Sequence, residues 1–196
     1  MTQRFAVTFD YLCPFARNAF ESIAAGIESG RGWDVRYVPF SLSQAHVPEG
    51  QPPAWDRAPG DKYTSGVLAI EWGLAVRDNF PVEFPRFHTA AFGARHDRAL
   101  DIKDEQVLRE VAESAGLDPA AVAKIVATGE PRETLGREHT GAVEQWSVFG
   151  VPTFIDGHDA VFVRLMERGR PEDIDQVLQL LHMTRLNEFK RTVIPR

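Results

Sequence analysis

Runs that read as β-strand stand only near the two ends of this chain: Arg4–Phe9 and Trp33–Phe40 toward one end, Thr153–Ile155 and Ala160–Val163 toward the other. A sheet built from them must gather both ends, and whatever lies between must leave the sheet and return to it. In the first run Phe5, Val7 and Phe9 alternate with Ala6 and Thr8, the pattern of a buried strand that stops at Asp10. A helix follows at once. Ala16, Ala19, Phe20, Ile23, Ala24 and Ile27 recur at helical spacing, Pro14 suits the first helical position, and Gly30 and Gly32 end the run. Trp33, Val35 and Tyr37 then share one face of a second strand closed by Pro39. This strand, helix and strand predict a parallel pair with a right-handed crossover. At the other end Asp156-Gly157-His158-Asp159 joins two short β-rich runs as a hairpin, and Pro171 opens a helix holding Ile174, Val177, Leu178 and Leu181.

The stretch between carries no strand signal. Pro48, Pro52, Pro53 and Pro59 with Gly50 and Gly60 make a loop, and helical spacing follows in Tyr63, Val67, Ile70 and Leu74, then in Phe87, Ala91 and Ala94. Val107, Leu108, Val111 and Ala115 form a third helix ending at Gly116. Asp118-Pro119 starts a fourth with Val122, Ile125 and Val126, and Pro131 opens a last one with Leu135, Ala142, Val143 and Trp146. The expected architecture is α/β: one four-stranded mixed sheet from residues 1–46 and 131–196, with 47–130 an inserted helical subdomain.

A chain of 196 residues with 43% hydrophobic and 26% charged side chains can bury one full core, which excludes disorder and fibrous repeats. With 22 Lys plus Arg against 28 Asp plus Glu, the net charge of -6 argues against nucleic acid as partner. The most apolar stretch, from Val67 to Val76, is broken by Glu71 and too short to span a bilayer, and Asp10 and Arg17 interrupt any apolar signal core near the start. A cytoplasmic protein without a membrane partner is expected. The single cysteine, Cys13, allows no intramolecular disulfide and no Cys-rich zinc site, and leaves a free thiol suited to a reducing compartment.

That thiol sits in Phe9-Asp10-Tyr11-Leu12-Cys13-Pro14-Phe15-Ala16, between the first strand and the first helix. The leading amides of a helix lack internal partners and point outward, so a thiolate there gains their hydrogen bonds and the positive end of the dipole. The dipole supplies about 0.3–1 kcal/mol, and up to about 2 when partly buried. An acidified, partly accessible thiol is expected, with Asp10 opposing it by charge repulsion. The competing reading is a small buried hydrophobe, as most free cysteines are.

The order of elements resembles the thioredoxin fold with a helical insertion, and a second motif sharpens the likeness. Phe149-Gly150-Val151-Pro152-Thr153-Phe154 is similar to the cis-proline loop of that superfamily, in the form seen in the family of the oxidant DsbA and in kappa-class glutathione transferases. The resemblance implies a cis Val151-Pro152 bond facing Cys13, with the Val151 backbone pairing an extended substrate; an ordinary trans proline at a strand start is the other reading. Ala16 stands where a DsbA-type oxidant has its second cysteine, so this chain must act as a monothiol. Cys-Pro-Phe-Ala is also similar to the Ser-Pro-Tyr stretch of kappa-class transferases and 2-hydroxychromene-2-carboxylate isomerases, with Cys13 at the serine that activates a bound thiol cofactor.

The site therefore takes Cys13 as catalytic, with Asp10, Pro14, Phe15, Val151, Pro152, Thr153, His96 and Arg164 around substrate or cofactor, and no metal. His88 and His96 lie two turns apart, but no third ligand follows at metal spacing. Helical insertions in this family cover the thiol, so Phe87, Phe92 or His96 is expected on the inner face, although a solvated face also suits His96. The strand from Pro152 runs away from the thiol and its hairpin partner runs back, which brings Arg164 to the thiol end. Arg164, Arg168 and Arg170 before the helix at Pro171 suit an anion, or simply pair with Glu167, Glu172 or Asp173. Lys190, Arg191 and Arg196 make a small solvated basic tail.

Three functions follow: a DsbA-like thiol oxidoreductase using one cysteine and a low-molecular-weight thiol; a kappa-type transferase or isomerase with a non-covalent thiol cofactor; or a silent binding module. No tightly bound cofactor is expected. Glutathione or mycothiol would be co-substrate, with a small organic or disulfide molecule as second substrate, and a homodimer is compatible with all three.

Overall fold

The computed structural model describes residues 2–193, so Arg196 of the basic tail lies outside the described residues. The strands are β1 (Gln3–Phe9), β2 (Trp33–Pro39), β3 (Thr153–Asp156) and β4 (Asp159–Phe162), in the order β2-β1-β3-β4. β1 pairs β2 in parallel, Gln3 opposite Trp33 and Phe9 opposite Pro39, while β1–β3 and β3–β4 are antiparallel. The C-terminal ends of β1 and β2 and the start of β3 therefore share one edge of the sheet, where Cys13 follows β1.

The helices are α1 (Pro14–Glu28), α2 (Val67–Asn79), α3 (Phe84–His96), α4 (Glu105–Ser114), α5 (Pro119–Val126), α6 (Glu130–Trp146) and α7 (Pro171–Leu181). α1 opens on Pro14 with Cys13 in an extended conformation as its N-cap, and the chain leaves it through Gly30 at φ 89°, a left-handed backbone that glycine adopts without a Cβ penalty. Asp118 caps α5 by accepting from the Ala120 amide. α2 starts at Val67, later than the spacing from Tyr63 predicts. Asp61 explains the delay, because its carboxylate accepts from the Tyr63 amide and its carbonyl from the Thr64 amide, which turns the chain before the helix.

Two cores form. Phe5, Val7 and Phe154 pack with Ala19 and Ile23 of α1 and Ile174, Val177 and Leu178 of α7. The larger core joins Phe9, Tyr11, Val38 and Phe40 to the helices of the insertion, where Ile70, Trp72, Leu74, Phe87, Phe92 and Leu108 are fully buried. α6 bridges the two parts, packing on β2 and also on α2 and α5. Among the described residues no helix is long and apolar enough to cross a membrane; the apolar run in α2 is the centre of the helical layer.

Candidate functional site

The insertion reaches the thiol through the loop between β1 and α1. α3 packs against α1, and its two histidines both engage Tyr11: His88 Nδ1 lies 2.7 Å from the Tyr11 hydroxyl, and His96 Nε2 lies 2.9 Å from the Tyr11 carbonyl. His88 is fully buried among Phe9, Tyr11, Phe20, Tyr37, Phe84 and Phe92, and burial holds its pKa well below the usual histidine range. His96 is half-buried and its pKa is also lowered by burial, so its neutral ring donates to Tyr11. Phe87 and Phe92 of α3 face inward without lining an open cleft. Both are wholly inside the helical core, because the inner face of α3 is spent on packing Tyr11 and Phe20.

Asp10 is also fully buried. Its carboxylate accepts from the Leu12 amide at 2.9 Å and the Leu42 amide at 2.7 Å, tying the start of the thiol loop to the segment after β2. Burial raises its pKa to about 6, against the two amide bonds that favour the charged form.

Cys13 is 7% exposed, and its Sγ donates to the Val151 carbonyl at 3.3 Å. The Val151-Pro152 bond is cis. The thiol is not acidified, contrary to expectation: burial raises its pKa, and Asp10 adds to that, while the Phe15 and Ala16 amides and the Arg164 guanidinium pull it down by less. The helix N-terminal amides favour the thiolate, but the loss of water on burial opposes it and is the larger effect here. Burial also leaves the sulfur less accessible than expected, and the Val151 carbonyl is engaged by Cys13 instead of standing free for a substrate.

A threonine pair holds the loop opposite. The Thr153 amide donates to Thr8 Oγ1 at 2.8 Å, and the Thr153 hydroxyl donates to the Gly150 carbonyl at 2.8 Å, so buried Thr153 shapes the loop from within. Thr8, on β1, escaped the sequence reading because its partner is remote in the chain; so did the role of Tyr11 as the residue both histidines grip.

Arg164 is exposed and stands at the thiol end, its guanidinium carbon 5.7 Å from the Phe15 ring centroid and 5.8 Å from that of Phe162. It forms no ion pair among the described residues, whereas Arg170 pairs with Glu172 and Glu167, and Arg168 lies 3.6 Å from both Glu21 and Asp97. Phe149, 73% exposed, packs against Phe162 with ring centroids 5.1 Å apart. Pro14 is exposed and Phe15 half-buried at the mouth. The structure thus brings Asp10, Cys13, Phe15, Val151 and Arg164 together, and sets His96 and Thr153 behind them as supports.

A βαβ–ββα sheet with a thiol at the first helix N-terminus beside a cis-proline loop defines a thioredoxin-fold protein carrying a helical insertion. A family profile described as a DSBA-like thioredoxin domain matches residues 74–179, more than half of the 196-residue chain, and the chain belongs to that family. It is 26% identical over 185 residues to the uncharacterized protein YwbO of Bacillus subtilis (strain 168), across 82% of this chain and 90% of that one. Among solved structures it is similar to a 2-hydroxychromene-2-carboxylate isomerase, with TM-score 0.66, 17% identity and coverage of 93% of this chain and 98% of the other. It is similar to DsbA of Pseudomonas aeruginosa with TM-score 0.61, 17% identity and coverage of 93% and 83%. At these identities the likeness is one of fold.

Proposed function

We propose that the protein is a thiol-dependent oxidoreductase in which Cys13 works as a monothiol with a low-molecular-weight thiol such as glutathione or mycothiol. The observation that carries this reading is the union of the sole cysteine, the cis-proline loop and an unpaired cation: Cys13 Sγ is 3.3 Å from the Val151 carbonyl, with Arg164 acting on it by charge. The Cys13 thiolate attacks one sulfur of a small disulfide, a mixed disulfide forms, and the other half leaves as a thiolate. A second thiolate from the small thiol attacks the substrate sulfur of that adduct, leaves with it as a disulfide and returns Cys13 as thiolate. No second protein cysteine is needed, which suits Ala16 in the resolving position. Asp10, Phe15 and the Val151-Pro152 loop frame the sulfur, and Arg164 offers a charge-assisted bond to an anionic group of the thiol. A reducing compartment such as the cytoplasm suits a free thiol of this kind.

One observation favours a second reading. Burial raises the Cys13 pKa and the thiol donates a hydrogen bond, which suits a Cys13 that stays protonated and donates to the sulfur of a non-covalent cofactor in transferase or isomerase chemistry. Turnover of hydroxyethyl disulfide with glutathione separates the two. Under the first reading it is lost in Cys13→Ser; under the second, no such turnover occurs and calorimetry finds reduced glutathione binding saturably in both the parent protein and Cys13→Ser.

A further inference from the structure

The segment that carries Arg164 is tied to the helix that carries the thiol. Asn18, one turn into α1, donates from Nδ2 to the Leu165 carbonyl at 2.8 Å. One turn further, fully buried Ser22 accepts from the Arg170 amide at 3.1 Å and donates to the Asn18 carbonyl at 2.7 Å. Between these ties Leu165 buries its side chain in the α1–α7 core. The intervening residues have no regular secondary structure, and just before Arg164 the Val163 amide donates to the Pro152 carbonyl at 3.1 Å, so the position of Arg164 relative to Cys13 rests on the ties at its two sides.

Arg164 lies directly beside the pinned carbonyl. Its side chain is exposed, pairs with no described carboxylate, and lies over the rings of Phe15 and Phe162. Cation–π contacts at an exposed site are weaker than the rotamer freedom that an arginine gives up on being fixed. The side chain therefore needs a backbone already set in place if its charge is to stay near the sulfur.

We propose that Asn18 is the positioning residue for Arg164: by holding the Leu165 carbonyl on α1 it fixes the cation over Phe15, and the site thereby favours anionic over neutral partners of Cys13. The inference rests on the reading that Arg164 serves the Cys13 site. The two charged groups acting on the thiol are Asp10 and Arg164, and Asp10 is tied to Leu12 and Leu42, away from Asn18. A change at Asn18 thus reaches the sulfur through Arg164.

Alkylation of Cys13 by iodoacetate and by iodoacetamide tests this, since in both the thiolate forms an S–C bond and displaces iodide. The ratio of the two rates cancels changes in exposure and thiolate fraction and reads the local charge. In Arg164→Gln the ratio falls about two- to fivefold, the scale of one exposed charge interaction. Asn18→Ala and the similarly sized Asn18→Leu lower it by a comparable factor, and Asn18→Ala with Arg164→Gln lowers it no further than Arg164→Gln alone. If both Asn18 variants, folded by thermal unfolding, keep the parent ratio while Arg164→Gln lowers it, the positioning role is overturned and the Arg164 reading stands. An unchanged ratio in Arg164→Gln overturns both.

Discussion

At Cys13 the amides of Phe15 and Ala16 and the Arg164 cation favour a thiolate, while burial and the Asp10 charge oppose it, and opposition prevails. Asp10 is the lever that can be removed. Above its own pKa of about 6 it is charged and adds to the burial that holds the thiol protonated, so Asp10→Asn speeds iodoacetamide alkylation of Cys13 between pH 7 and 8. Equal rates in parent and variant would show that the carboxylate does not act on the sulfur. The sequence makes Cys13 legible as the one thiol at a helix start. Its burial was not legible, since the wall over it comes from Val151, a residue brought back by the return of the chain to the sheet.

Among the elements, α3 and α2 together decide how the loop before Cys13 is held. Tyr11→Phe removes the partner of His88 Nδ1 where both side chains are fully buried and the other ring nitrogen already has no described partner. A loss of about 1–3 kcal/mol in urea unfolding is expected, and a loss near zero would mean that the Tyr11–His88 bond holds nothing. Gly73 in α2 explains why that helix can lie so close: a Cβ there would stand 2.4 Å from the Tyr11 hydroxyl. Gly73→Ala therefore lowers the unfolding temperature even though alanine is the better helix former, since overpacking costs about 1–3 kcal/mol against a propensity gain of about 1. The helices were legible from their 3.6-residue spacing, and so was the pairing of strands from the two chain ends. The partners of the polar residues on those helices were not: His88 and His96 lie two turns apart on α3, and only the packing shows both spent on Tyr11.

For the whole molecule, three buried groups set how folding responds to acid. Burial lowers the His139 pKa to about 4, with its Nδ1 accepting from the Ser41 amide, and holds that of His88 well below the usual histidine range, so both are neutral in the fold near neutral pH and gain protons on unfolding as the pH falls through about 6.5. Asp10 works the other way, holding a proton in the fold between its unfolded value of 3.8 and about 6. The lowered pKa of half-buried His96 adds to this uptake, so unfolding near pH 5 takes up at least about one proton net, and stability falls by at least about 1.4 kcal/mol for each pH unit of acidification. Urea midpoints at pH 7, 6 and 5 check this; His139→Gln, whose amide oxygen can still accept from Ser41, flattens the slope, and a parent protein that gains stability toward pH 5 contradicts it. Covalent reaction of Cys13 as a monothiol shows in the intact mass of the protein after incubation with glutathione disulfide. The mass is expected to rise by one glutathionyl group, a gain absent in Cys13→Ser and reversed by reduced glutathione. An unmodified mass after prolonged incubation, with Cys13 still open to alkylation, would contradict it.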